Sequence, residues 1–369
     1  MMKIAHTALL VFPALGAVII LLGVSALFSG CYTLKQGAAM LGYLSRAVPL
    51  KNLEDAPGAD PAVQGENRRF AERVQDIRRF ALEELGLRES ANYTKYVDLK
   101  QDYLAAVVSA SAQDSFSRYE WWFPVVGKVP YKGFFNPADA RKEAEKLRKK
   151  GLDVWVRGVG AFSTLGWFQD PLYSYMRAYP ADRLADLIIH ETLHATVYLK
   201  NQSQFNEELA EFVGSTGARL YIEKTFGPDS PEYRRIDEAA ADNAVFLDFI
   251  RGLIAELDGV YQSGLTREEK LYRKEEIISA AKNRFEATYH EKYLGKDYLG
   301  FPKLAVNNAY LELYRLYYAE DRFFQDLYER SGRDLPRFIA AAKTISPKGG
   351  SPRLQLEQAL LGQAHNRTD

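Results

Sequence analysis

His190, Glu191 and His194 stand in the order His-Glu-Thr-Leu-His, the one stretch of this 369-residue chain whose residue types and spacing dictate a particular chemistry. Four residues of α-helix turn about 400°, so the two imidazoles leave one face of a helix and converge on a single ion, with Glu191 beside them. With 5 histidines in the chain, such a motif arises by chance on the order of one time in two hundred, and Leu184, Leu187, Ile188 and Leu193 make the helix around it largely buried. Buried histidines want partners, and a zinc ion satisfies two at once. Two histidines do not complete a zinc site. Phe205-Asn206-Glu207-Glu208-Leu209-Ala210-Glu211 supplies the missing carboxylate: Glu207 and Glu211 lie four apart on one face of a second amphipathic pattern, the first placed to bind metal and the second to orient a ligand. The 12 residues between His194 and Glu207 allow two more turns of the first helix, a polar loop at Asn201-Gln202-Ser203-Gln204 and an antiparallel return. A His, His, Glu set with a fourth position open to water is the donor set of a catalytic zinc, with Glu191 as general base.

The elements that must position this set read as mostly helical. Helices are expected over 36–46, 66–85 (Phe70, Val74, Ile77 and Phe80 on one face), 137–150 ending at Gly151, 230–260, 266–293 and 302–328. Leu104 to Ala110 reads as a strand, and Leu152 to Trp167 as a strand, a glycine break and a second extended run just before the metal helix. Gly158 and Gly160 there admit close backbone approach, and a strand edge beside the metal helix is where a peptide substrate pairs its backbone, which makes Gly160 and Ala161 candidate substrate contacts. Asp170 and Glu208 are candidates to hold a substrate's free ammonium, a charge that is costly to bury unpaired. The donor to the developing oxyanion is sought among Tyr310, Tyr314, Tyr317, Tyr318 and His290. The expected fold class is α+β: a mostly helical, zincin-like catalytic domain over 66–344 with a small sheet before the HExxH helix, preceded by a tether and helix over 31–65 and followed by a loosely ordered tail over 345–369.

Equal numbers of basic and acidic residues, 48 of each, give a net charge of zero and nothing that favours nucleic acid, while 47% hydrophobic residues exclude disorder. Residues 1–30 hold an apolar run from Ala8 to Leu27 and close on Leu27-Phe28-Ser29-Gly30 before Cys31. Small residues just ahead of a cysteine read as a bacterial lipoprotein signal, with a plain membrane anchor as the alternative. Cys31 is the sole cysteine, which rules out an intramolecular disulfide and a cysteine-ligated zinc and suits a lipid attachment point.

The ordered blocks Trp122-Phe123-Pro124-Val125-Val126-Gly127, Val129 to Phe135, Gly160 to Pro171, the HExxH and Phe205-Asn206-Glu207 resemble an aminopeptidase family of bacterial lipoproteins, over about Tyr32 to Tyr328. The metal motif is also similar to that of gluzincin peptidases, with an Asn-Glu pair on the helix after HExxH. The resemblance implies Glu207 as ligand and Glu211 as its supporting carboxylate; the separation from His194 is shorter than in the thermolysin-like members, which keeps Glu208 open beside Glu207. The expected function is therefore zinc-dependent hydrolysis of peptides or small proteins by a membrane-anchored metallopeptidase of the cell envelope, facing the periplasm or exterior, which the resemblance implies is an aminopeptidase. The alternatives are a zinc endopeptidase, a cell-wall peptide amidase and a non-catalytic peptide-binding lipoprotein, the last disfavoured by Glu191, which a scaffold does not need. The lipobox makes a direct prediction: Cys31→Ser leaves an uncleaved precursor, while the parent chain gives a lipid-bearing product starting at Cys31, both read by mass spectrometry.

Overall fold

The computed structural model of the chain describes residues 32, 35–53, 61–99, 101–123, 127–160, 170–315 and 322–362. Cys31 and its apolar leader, Ala161, and Tyr317 and Tyr318 lie outside the described residues. In chain order the described residues form α1 (35–44), β1 (Val48–Pro49), α2 (Pro61–Glu83), β2 (Lys95–Val97), β3 (Ala105–Ala112), β4 (Trp121–Phe123), β5 (Gly127–Val129), β6 (Tyr131–Phe134), α3 (Pro137–Arg148), β7 (Leu152–Val159), β8 (Leu172–Tyr173), α4 (Ala181–Thr196), α5 (Ser203–Phe226), α6 (Pro231–Gln262), α7 (Arg267–Lys292), α8 (Asn308–Arg315), α9 (Phe323–Arg330), α10 (Leu335–Ala342) and α11 (Pro352–Leu361). The class is α+β, mostly helical with small sheets, and among the described residues no helix is long and apolar enough to cross a membrane.

The chain divides into two compact units, the first made of residues up to Ser45, Tyr103–Gly160 and Asn307–Glu312. Its centre is an antiparallel sheet in the order β6-β3-β7. Alternate residues of β3, Ala106, Val108 and Ala110, meet Ala140, Ala144 and Leu147 of α3 in a dry core closed by Trp121, Phe134 and Val154, the period-2 and period-3.6 patterns locking together. α3 starts where Asn136 accepts from the Ala138 N–H at 2.9 Å ahead of Pro137, and it stops at Gly151, whose φ of +75° favours glycine. β7 is an edge strand of this sheet, and the second extended run expected up to Trp167 lies outside the described residues. The space over Gly158 is taken by Tyr103, whose ring carbons would lie 2.7 Å from an added Cβ, so this glycine makes room for a tyrosine of its own unit. Tyr310 is buried here and sets its ring edge-on against Trp155.

The second unit comprises Arg46–Asp102, Ala161–Val306 and Leu313–Asp369. A small sheet in the order β1-β2-β8, antiparallel then parallel, supports the residues just ahead of α4. α6 and α7 begin as their sequences dictate: Ser230 accepts from the Tyr233 N–H ahead of Pro231, and Thr266 forms a reciprocal capping box with Glu269. Much of the aromatic content goes into their contact, where Phe246, Phe249, Phe285, Tyr289, Tyr293, Tyr298 and Phe301 pack ring against ring, with Tyr314 edge-on to Phe246.

Two expected segments differ. The single helix over 302–328 is instead a 3-10 turn at Phe301–Lys303 followed by α8 and α9. The Asn307-Asn308 pair starts a helix rather than sitting inside one, because Asn307 Oδ1 accepts from the Tyr310 N–H at 3.1 Å and Asp153 takes the Asn308 N–H at 2.8 Å. The stretch after Thr344 is not a loose tail throughout: α11 buries Leu356 and Leu360, and Arg353 at its start reaches back to Glu208 on α5.

The contact that matters most for the site is α4 against α5. Residue numbers rise along α5 as they fall along α4, so the helices run antiparallel, and α5 presents Ala210, Gly214, Gly217 and Ala218 to its neighbours. A Cβ on Gly214 would lie 2.4 Å from Asp186 Oδ1 and 3.1 Å from both the Asp186 carbonyl and His190 Cβ, and one on Gly217 would meet Leu85 at 3.0 Å and Ile189 at 3.1 Å. Gly214→Ala should therefore lower stability by about 1–3 kcal/mol in denaturant titration, through overpacking that pushes α4 away; a neutral effect would show that the two backbones have room to part.

Candidate metal centre

α4 is a helix with a broad apolar stripe: Ala181, Leu184, Ala185, Ile188, Ile189, Thr192 and Leu193 are buried. Asp182 in its first turn suits the positive end of the helix dipole, and at the other end Arg88 donates to the Ala195 carbonyl and uses its backbone N–H on Thr196 Oγ1 at 2.9 Å. With that stripe turned inward, His190, Glu191 and His194 fall on its flank, each only partly buried.

The return to α5 is fixed by one side chain. Asn206, 2% exposed, accepts from the Leu199 N–H at 3.0 Å and donates to the Leu199 carbonyl at 2.9 Å, satisfying both backbone groups of the turn. Asn201 within the turn has φ of +63°, a conformation that asparagine tolerates better than other side chains. The neighbour of Asn206, Glu207, then faces back across the helix pair.

The result is a cluster of three donors. His190 Nε2 and His194 Nε2 lie 3.2 Å apart, Glu207 Oε1 is 3.4 Å from His194 Nε2, and Glu207 Oε2 is 3.8 Å from His190 Nε2. Ligands at the 2.0–2.1 Å bond lengths of zinc, in tetrahedral array, stand about 3.3 Å from one another. Two imidazoles and one carboxylate at this spacing fit a Zn²⁺ ion without rearrangement. Burial and the neighbouring His194 push the His190 pKa down to about 4, and burial also lowers that of His194 against the opposing pull of Glu207, so both rings stay neutral at physiological pH, the form that binds metal.

Around the donors stands a group of acids. Burial, then Asp170 and then Glu207 push the Glu191 carboxyl up to about 7. Asp186, one turn before His190, is pushed up to about 6 by burial and by Glu211, and Glu211 itself is raised by burial and by Glu208 and Glu207. Among the described residues no hydrogen bond joins Glu211 to His190 or His194; it lies on the site side of α5 as one of four interacting carboxylates.

Of the remaining sequence candidates, Asp170 is brought into the electrostatic field of Glu191, and Glu208 is not left open to a ligand. Arg353 donates to Glu208 Oε2 at 2.6 Å and Gln204 to Oε1 at 2.9 Å, so both of its oxygens are engaged. That distinguishes Glu207 from Glu208 on geometry where spacing could not. Gly160 follows β7 in the first unit, Tyr310 is core there, Tyr314 packs on Phe246, and His290 is exposed in the last turn of α7.

A residue that the sequence did not suggest lies within the electrostatic reach of Glu191. Tyr93 is buried, holds a φ of +60°, and donates its N–H to the Asp170 carbonyl at 2.8 Å, while the Asp170 N–H reaches Asn92 Oδ1 at 3.3 Å. Burial first, then Glu191 and Asp170, hold its phenol protonated far above the usual tyrosine range. A tyrosine in left-handed backbone conformation costs of order 1–3 kcal/mol and persists only where its surroundings over-determine it. The signal available in the sequence was slight, an Asn-Tyr step in a polar turn.

A family model described as "Putative aminopeptidase" matches residues 31–356. No curated protein and no solved structure matches the chain. The cluster geometry predicts that added Zn²⁺ binds at one equivalent, that Glu207→Ala loses it and that Glu208→Ala keeps it, measured by metal analysis after gel filtration; the reverse order would move the third donor by one residue.

Proposed function

This chain belongs to the "Putative aminopeptidase" family, and from that we propose that it is a zinc metallopeptidase of the bacterial envelope, held to the membrane through Cys31 and trimming peptides from the amino end. The observation that carries the metal assignment is the spacing of His190, His194 and Glu207, close to that of tetrahedral zinc ligands, with Glu191 alongside.

A bound Zn²⁺ supplies a Lewis acid that polarises a peptide carbonyl and makes water acidic near neutrality. Glu191 follows His190 directly on α4, and its carboxyl, raised by burial towards the working pH, is matched to taking a proton from the attacking water and passing it to the leaving amine. It is not counted among the donors, since Glu207 already provides the carboxylate. We infer that Tyr93, buried and protonated within the field of Glu191, donates to the oxygen that gains charge, a role the sequence alone had sought at Tyr310, Tyr314, Tyr317, Tyr318 and His290. Glu211 and Asp186 support the donor helices from behind. Their shared negative charge favours a divalent cation in front of them.

The preference for the amino end rests on Asp170. Its backbone is clamped by Asn92 and Tyr93, and its charge is felt at Glu191, which supports it as the partner of a substrate's free ammonium. Glu208, tied to Arg353, is left to structure.

One experiment decides activity and direction together. A peptide with a free amino terminus should lose residues singly from that end, the acetylated peptide should resist, and Glu191→Gln should lower turnover by about 10²–10⁴-fold while still binding one Zn²⁺. Internal cleavage that ignores acetylation would make the enzyme an endopeptidase, and loss of the metal in Glu191→Gln would show that Glu191 is a ligand.

A further inference from the structure

Within the second unit a surface cavity of about 570 Å³ is lined by Glu66, Arg69, Phe70, Arg73, Asp102, Ser174, Tyr175, Arg177 and Ala178. It takes no part in the metal centre described above. Arg69 and Arg73 stand four apart on one face of α2, and Arg177 comes from the 3-10 turn at Ser174–Ala178. Like charges at this helical spacing repel, and a third arginine from another element adds to the cost. Glu66 and Asp102 line the same cavity, yet among the described residues no carboxylate lies within 4 Å of any of the three guanidinium groups. Elsewhere in the unit arginines are commonly paired: Arg79 with Asp76, Arg219 with Asp237, Arg235 with Asp182 and Arg353 with Glu208.

Arg177 is held in place by neutral acceptors. Its Nη1 donates to Asn67 Oδ1 at 2.7 Å and its Nε to the Ser174 carbonyl at 3.3 Å. Asn67 and Ser174 are themselves buried, Asn67 donates on to the Leu53 carbonyl, and Ser174 exchanges hydrogen bonds with the backbone N–H and carbonyl of Leu99 at 2.9 and 2.7 Å. These bonds orient the guanidinium while leaving its charge uncompensated and the Nη2 donors without a partner among the described residues. An oriented fork whose charge is not neutralised by its own supports is the arrangement that binds an oxyanion in bidentate fashion. Phe70 and Tyr175 give the cavity an apolar wall, and its volume exceeds what a bare inorganic anion fills.

We propose that the Arg69, Arg73 and Arg177 cavity binds the phosphate group of a small organic phosphate or of a lipid headgroup. A carboxylate is satisfied by one guanidinium fork; three forks arriving from two elements match the several oxygens of a phosphate, and the adjacent apolar wall takes the organic part. The proposal does not depend on the peptidase reading, because none of these residues belongs to the metal centre.

The test uses the full chain in neutral detergent, titrated by calorimetry with glycerol 3-phosphate and, separately, with mixed micelles containing phosphatidylglycerol. The comparison protein is Arg69→Gln/Arg73→Gln, whose substitutions sit on the outer face of α2; unchanged circular dichroism and zinc content check that it folds. Saturable binding of glycerol 3-phosphate that weakens about tenfold or more in the variant supports a soluble organic phosphate. A response to the lipid micelles alone, lost in the same variant, supports a headgroup. The proposal is overturned if neither probe binds, or if parent and variant respond alike.

Discussion

The close approach of α4 and α5 is the constraint on which the candidate centre depends. Imidazoles on one helix and a carboxylate on another meet within a bond length or two of a common point only if the backbones come near enough, and side chains at Gly214 and Gly217 would hold them apart. The pair then has to be held from outside, which Leu85, Ile188, Ile189, Leu209 and Val213 do by burial. At about 25 cal/mol per Å² of apolar area, burying each such side chain contributes roughly 1.5–3 kcal/mol.

After burial, Glu211 raises the pKa of Asp186, Asp170 and Glu207 that of Glu191, and Glu208 and Glu207 that of Glu211, and without a cation these acids are a source of repulsion inside the unit. Such a cluster is suited to a positive charge among them, and His190, His194 and Glu207 are the three residues that could hold one. The strained backbone at Tyr93, clamped to Asp170, fits the same view: unfavourable local choices gather where chemistry is done and are supported by the packed residues around them. The second unit thus joins a rigid helical frame to a locally costly site.

The arginine cavity on α2 gathers the opposite charge. There too a buried hydrogen-bond network, through Asn67 and Ser174, orients a charged group without neutralising it. Three arginines that line one cavity with no carboxylate within 4 Å among the described residues mark a place where an outside anion would complete the electrostatics.

The sequence by itself determined a good deal. Four-residue spacing within a helix made His190 and His194 a pair and Glu191 their neighbour, because helical geometry is local and follows from residue number alone. The period-3.6 patterns located α2, α3, α6 and α7 to within a few residues, their caps at Asn136, Ser230 and Thr266 being side-chain acceptors that act on the next turn. Local rules failed where a distant partner intervened: Asp153 reaches the backbone of Asn308 and helps begin a new helix there, and Arg353 draws α11 onto α5. Only the tertiary structure decided between Glu207 and Glu208, since adjacent residues on a helix point about 100° apart and the one facing α4 is set by Asn206 pinning the turn at Leu199. Only it found Gly214, whose need for hydrogen in place of a side chain comes from a helix some two dozen residues earlier in the chain, and Tyr93, whose place within the electrostatic reach of Glu191 rests on a backbone bond to Asp170 across a long separation in sequence. Spacing along a chain specifies what one helix presents; what it is presented to depends on packing between elements, which no local pattern records.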